Sequence, residues 1–219
     1  MKGETTMLQP RKMRYDKAGP VVAENLKKRY FDAYYCSTRE EGIAKVLELI
    51  PAEDVVSWGG TLTVDELGIK QLLAERGQKV LDRDTAKDMA ERMAIMRAGL
   101  TCDTFLTGTN AITQDGELFN IDGNGNRVAA MTFGPKSVVI VAGMNKVVKD
   151  MDAAVSQVRN YTAPAVLQRF PNFKTPCNAN GLCADCKSPD SCCCYMVETR
   201  ICRPAGKIKV VLIGEDLGL

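Results

Sequence analysis

Histidine is absent from this 219-residue chain. That removes the side chain that most often moves protons at neutral pH and the commonest nitrogen ligand for metals. Any catalysis must run through Asp, Glu, Lys, Tyr, Cys or a metal-bound water. Long apolar runs are missing as well: no stretch reaches the roughly 18 apolar residues of a membrane span. The N-terminal stretch lacks the apolar core of a secretory leader, so the chain is expected in the cytosol. Net charge is slight at +2, too little to point to nucleic acid or to a membrane surface. The Lys/Arg-rich first 29 residues read first as a solvated helix face and second as a contact for an anionic partner.

What is present describes an ordinary globular chain, with 45% hydrophobic and 26% charged residues. Residues 1–13 lack periodicity and are expected to be a flexible arm, leaving 14–219 as one domain. In the cytosol thiols stay reduced, so the nine cysteines need an explanation other than disulfides.

Helical spacing of Val22, Leu26 and Tyr30 predicts a helix over 21–30, with Pro20 in its first turn. Phe31–Cys36 reads as a strand. Thr38 and Glu41 form a capping box for a helix that Pro51 ends. Asp54–Trp58 reads as a buried strand. Thr63 and Glu66 form a second box, opening a helix that runs through Leu73 towards Gly77. Lys79–Leu81 is a short strand. Asp84 is placed to cap a helix whose Met89, Met93 and Met96 are expected in the core. Strands are predicted at Cys102–Thr107, Ala111–Thr113, Glu117–Ile121, Val128–Met131, Ser137–Ala142 and Lys207–Ile213, with Asp115-Gly116 as a hairpin turn and Asp150–Val158 as a helix. Early β–α alternation implies a mostly parallel sheet with helices on both faces, and the later hairpins imply antiparallel additions.

Two patterns carry chemistry. Cys177, Cys183, Cys186 and Cys192 are spaced C-x5-C-x2-C-x5-C, with Cys193 and Cys194 adjoining. Soft thiolates suit zinc or iron, and a C-x2-C turn lets two sulfurs converge on one ion. Four of them would hold a zinc ion or an iron–sulfur cluster, with Cys192 or Cys193 as the fourth ligand. Cys36 and Cys102 read as small buried hydrophobes. The second pattern is a set of loops that follow strands. Gly59, Gly60, Thr61 and Thr63 join a strand to a helix start, where exposed amides and glycine favour an anion. Asn110, Asn145 and Lys146 follow later strands, and Arg127 is suited to grip a carboxylate or phosphate. For each loop a bare structural turn is the competing reading. Glu66 and Asp122 are candidate bases, though either can simply cap or turn the chain.

The combination Ser57-x-Gly59-Gly60-Thr61-x-Thr63, Gly108-x-Asn110-Ala111-Ile112-Thr113-x-Asp115-Gly116, Asn120, Asp122-Gly123-x-Gly125-Asn126-Arg127 and Gly143-x-Asn145-Lys146 resembles the LUD (lactate utilisation) domain signature over roughly residues 15 to 217. The Cys177–Cys194 segment looks like that of its stand-alone, cysteine-bearing members. The resemblance implies a three-layer α/β sandwich of the NagB/RpiA/CoA-transferase kind and a role in lactate or related small-acid metabolism. It also tips the metal reading towards iron–sulfur and suggests iron–sulfur redox proteins as partners. Three functions compete. One is a redox accessory with a metal centre beside a pocket for a small carboxylate. Another is a CoA-transferase-like enzyme for a phosphorylated or acyl-CoA compound, or a binding protein for a small phosphorylated or carboxylate ligand, with structural zinc. The last is a metal-sensing scaffold.

Overall fold

In the computed structural model, which describes residues 7–219, six parallel strands form the central sheet in the order β1-β10-β7-β4-β2-β3. These are β1 (Asp32–Cys36), β2 (Val55–Trp58), β3 (Lys79–Leu81), β4 (Thr104–Thr107), β7 (Ser137–Gly143) and β10 (Ile208–Ile213). Alternation along the central strands sorts the core into two layers. Val138, Ile140 and Ala142 of β7 and Val210 and Leu212 of β10 face α1 (Gln9–Lys28) and α6 (Asn126–Thr132). Val139, Val141, Val211 and Ile213 face α2 (Arg39–Leu49), α3 (Leu62–Glu66) and α4 (Ile69–Glu75). The expected three-layer sandwich is therefore what the chain forms.

The hairpin strands do not extend that sheet. They form a second one, ordered β8-β5-β6-β9, from β5 (Ala111–Thr113), β6 (Leu118–Asp122), β8 (Val147–Val148) and β9 (Tyr195–Thr199). Ile112 and Leu118 join the α1 side of the core, while Ala111, Phe119 and Ile121 pack on Ala154 and Val158 of the segment that starts with α7 (Met151–Gln157). Burial on both faces explains why these strands read as continuous apolar runs. At the turn between β5 and β6, Gly116 has φ of 87° and a side chain there would meet the Leu26 amide at 2.6 Å. Only glycine suits both demands.

Several local expectations are corrected. The first helix begins at Gln9 inside the segment expected to be flexible, with Pro10 in its first turn and Pro20 in its interior. Its apolar face starts at Tyr15, earlier than Val22 suggested. Residues 1–6 lie outside the described residues. The helix expected from Thr63 to Gly77 is broken at Gly68, whose φ of 65° separates α3 from α4. Asp84 does not cap α5 (Met89–Ala98). Asp88 does, accepting the Glu91 amide at 2.8 Å, while Asp84 is engaged by Arg92 and Lys70. The methionine stripe is core only at Met96, because Met89 is 69% exposed. Val128–Met131 is helical, since the Asp122 carboxylate accepts the amides of Arg127 and Val128 at 3.0 and 3.2 Å and starts α6 there. Strand β9 was missed: it carries no buried residue to announce it.

Candidate anion-binding site

Strand β2 leaves the sheet on the side of α3 and α4 and leads to β3 on its right, whereas β4 leads through the second sheet to β7 on its left. The carboxyl ends of β2 and β4, which are hydrogen-bonded neighbours, therefore mark the topological switch point, the place where open α/β sheets leave a crevice for ligands. The loops at that point are Gly59-Gly60-Thr61 and Gly108-Thr109-Asn110, and β7 adds Asn145 and Lys146 from the next strand over.

The two glycines of the first loop serve by lacking side chains. A Cβ at Gly59 would stand 3.0 Å from Cγ and Cδ of Arg127, and one at Gly60 would stand 2.8 Å from an Arg83 terminal nitrogen. Arg127 (8% exposed) and Arg83 thus lie directly on the loop backbone. Gly108 likewise leaves room for the Thr61 hydroxyl, which a Cβ would meet at 2.8 Å. The Arg127 guanidinium is fully engaged by the chain. Nη1 donates to the Gly108 carbonyl (3.2 Å) and Asn120 Oδ1 (2.6 Å), and Nη2 donates to Asn110 Oδ1 (2.8 Å) and the Ile121 carbonyl (2.7 Å). It supplies the site with charge and with a fixed Asn110–Asn120 pair, not with a free fork. Asn110 is spent in the same network, its Oδ1 also accepting the Ile121 amide.

Lys146 differs. It is only 6% exposed, and among the described residues its amine has neither a hydrogen bond nor an ion pair. Burial, reinforced by the Arg127 charge and partly opposed by Glu66, pulls its pKa down to about 8. Arg83 is also pushed down by burial; its Nε has Asp84 Oδ1 at 3.9 Å but, among the described residues, no hydrogen-bond partner, and Asn120 Nδ2 and Thr63 Oγ1 are likewise buried without one. Desolvating cations and donors without partners costs free energy that an anion would restore. Asn145 has a different task. Its Oδ1 accepts the Leu217 amide at 3.0 Å and its Nδ2 donates to the Leu217 carbonyl at 3.3 Å. Glu66 accepts the Gly218 amide at 2.8 Å, and a Cβ at Gly218 would meet Thr63 Oγ1 at 2.6 Å. The chain's last residues thus line the site. Asn120 belongs to the LUD-like signature of the sequence, whereas Arg83 and this terminal segment carry no such signal; Arg83 sits in a polar turn with nothing in its neighbours to distinguish it.

The cysteines occupy a turn-rich stretch after α9 (Pro176–Asn180). Sγ of Cys192 and Cys193 lie 3.8 Å apart, sharing a hydrogen bond that favours the Cys193 thiolate while Cys192 keeps its proton. Cys177 is near enough to act electrostatically on Cys192. Cys183 and Cys186 are half-buried elsewhere on the stretch. Two adjacent thiols with a third nearby suit a soft metal chemically. Yet among the described residues no three Cys, Asp or Glu side chains converge as a metal site. Cys36, Cys102 and Cys202 are buried, the first two as expected. An open groove of about 590 Å³ runs between α5 and α6, lined by Met93, Met96, Val128 and Phe133 and by none of Lys146, Arg127 and Arg83.

The chain is thus a mostly parallel α/β protein with buried cations at its switch point. It belongs to the LUD domain family, whose model matches residues 20–213. Among solved structures it is similar to a DUF162 family protein from Deinococcus radiodurans, at 15% identity over 91% of this chain and 98% of that one, with a TM-score of 0.50. It also aligns with ribose 5-phosphate isomerase A from Neisseria gonorrhoeae (14% identity, 60% of this chain and 65% of that one, TM-score 0.33) and with ribose 5-phosphate isomerase from Plasmodium falciparum (16% identity, 51% and 52%, TM-score 0.32). No curated protein matches the chain.

Proposed function

We propose that this protein serves small-acid metabolism of the lactate-utilisation type by binding a small carboxylate or phosphate ester at the switch point, next to a thiolate-held metal centre. One observation carries the anion site: among the described residues Lys146 is buried without an ion-pair partner or acceptor, in a row with Arg127 and Arg83. A carboxylate or phosphate would satisfy that charge and the orphaned donors of Arg83, Asn120 and Thr63. The family supports the metabolic context.

The metal centre draws its support from the Cys177, Cys183, Cys186, Cys192 and Cys193 spacing and from the adjacency of Cys192 and Cys193. When bound, an iron–sulfur cluster would supply one-electron chemistry and zinc would supply only structure. Its link to the anion site is short. A Cβ at Gly123 would stand 3.3 Å from Cys192 Cα, and Gly123 belongs to the turn that starts α6 and positions Arg127. Calorimetric titration with lactate, pyruvate and phosphate, with metal analysis and a visible spectrum of anaerobically prepared protein, tests both parts. Heat of binding that disappears in Lys146→Met supports the site, and no binding by any of the three overturns it. Stoichiometric zinc without visible absorption would remove the redox role.

A further inference from the structure

Among the described residues two lysines are buried, and they are not alike. Lys207 is 8% exposed, and its Nζ donates to the carbonyls of Met131 (3.2 Å) and Thr132 (3.0 Å), so its ammonium is a satisfied structural group. Lys146 is as deeply buried, has no acceptor among the described residues, and lies at the carboxyl end of β7 beside the switch-point loops. One carboxylate, that of Glu66, is close enough to act on it electrostatically without forming an ion pair. Burial without hydrogen bonding is the environment that turns lysine from a point charge into an amine nucleophile.

We propose that Lys146 forms an imine with the carbonyl carbon of a small anionic aldehyde or ketone held at the switch point. The inference rests on the anion-site reading above and adds the reacting group of the ligand. The Lys146 ammonium first gives one proton to solvent water. The amine lone pair then makes the C–N bond as the carbonyl π bond opens, and the resulting alkoxide takes one of the two protons left on the nitrogen. Return of the first proton from solvent lets that oxygen leave as water, which breaks the C–O bond and leaves a protonated imine, so that ammonium and carbonyl yield protonated imine and water with no change in oxidation state. The depressed pKa, about 8, makes a useful fraction of neutral amine available near neutral pH. The remaining charge of Arg127 and Arg83, with the free donors of Asn120 and Thr63, would hold the ligand's carboxylate or phosphate.

The experiment incubates the intact protein with pyruvate or with glyceraldehyde 3-phosphate in the presence of cyanoborohydride, across pH 6 to 10, and maps modified peptides by mass spectrometry. The expected result is rapid reduction-trapped adduct on Lys146, already present near pH 7, with none on Lys207 and only slow labelling of surface lysines. Labelling by pyruvate alone assigns a 2-oxo acid, and labelling by the triose phosphate alone assigns a sugar phosphate. Labelling of Lys146 no faster than of surface lysines by either compound overturns the proposal. The wild-type peptide map decides without recourse to a Lys146 variant. Lactate, which has no carbonyl able to react, separates the two readings: if lactate binds calorimetrically and no adduct forms, the anion site stands and the imine falls.

Discussion

Asn120 Oδ1 accepts Arg127 Nη1 at 2.6 Å, and the same oxygen takes Thr109 Oγ1 and the Asn110 amide at 3.2 Å each. Three donors on one oxygen fix the orientation of the carboxamide and leave its Nδ2 buried with no partner. The arginine and the asparagine thus form a rigid wall between the two sheets, with a free donor as a by-product. The same geometry explains why Arg127 neighbours the site without offering its own fork to a ligand.

Arg127→Ala would take a donor from each of four acceptors and remove the charge that links β6 to the loop after β4 and faces Asp122. Breaking a buried, hydrogen-bonded charge of this kind typically costs about 3–5 kcal/mol. Urea denaturation should show a loss in that range, and Arg127→Lys should recover little of it, because an ammonium cannot reach acceptors on both sides of a planar fork. A loss near that of an ordinary surface substitution would show that the network is dispensable.

Gly59→Ala tests the close approach of loop and arginine. The added methyl would sit 3.0 Å from Cγ and Cδ of Arg127 and 3.0 Å from Thr107 Oγ1. Overpacking in a filled interior costs about 1–3 kcal/mol, so a stability loss of that size with weakened lactate or phosphate binding is expected. Gly77→Ala is the comparison: its added Cβ meets nothing within 4 Å, although its φ of 74° carries a backbone cost of its own. It should leave anion binding unchanged.

The sheet, its layers and the loops at the strand ends were legible because each is written in side-chain periodicity or in glycine. Val138–Ala142 and Ile208–Ile213 alternate between two cores, and Gly59-Gly60 marks a place where another group must come close. Illegible were features decided by distant partners. Val128–Met131 has the β-branched and apolar look of a strand, yet the Asp122 carboxylate and the αL residue Gly125 start a helix. Asn145 looked like a ligand contact, but its amide is matched to Leu217, which lies 72 positions away. Arg83 announced nothing, since its burial depends on Gly60 having no side chain.

Asn145→Ala should release the terminal segment. Both backbone groups of Leu217 depend on that carboxamide, and the Leu217 side chain is buried at 1% exposure. Two lost bonds at about 1 kcal/mol each, plus partial exposure of a leucine, predict a loss of about 2–3 kcal/mol. Hydrogen exchange should speed up first at the Leu217 and Gly218 amides. Unchanged protection there would show that Arg39–Glu215 and Tyr15–Asp216 hold the segment without it.

For the cysteines, substitution should separate the adjacent pair from the buried singles. Cys192→Ser and Cys193→Ser are expected to lower bound metal well below stoichiometry, while Cys36→Ser leaves the metal content intact and costs stability, because it places a hydroxyl in the core beside Val46 and Ile213. Equal metal content in all three variants would remove the metal centre.

Lys146 gives the sharpest pH signature. Its pKa falls from 10.5 to about 8 on folding, so the unfolded chain holds this proton over a range where the folded one has released it. Below about pH 8 both states are charged and the folded state carries the whole desolvation penalty. Between about 8 and 10.5 the unfolded state binds more protons, and stability from this residue rises with pH. A difference of this size corresponds to about 3 kcal/mol. Lys146→Met should therefore stabilise the ligand-free protein at pH 7, by up to about 3 kcal/mol, and flatten the rise above pH 8 relative to wild type. The same variant should lose anion binding, and wild-type affinity for lactate should fall as pH passes 8 and the ammonium is lost. Stabilisation with retained binding would mean that the buried lysine serves no anion, and the site would have to work through Arg83, Arg127 and the neighbouring donors.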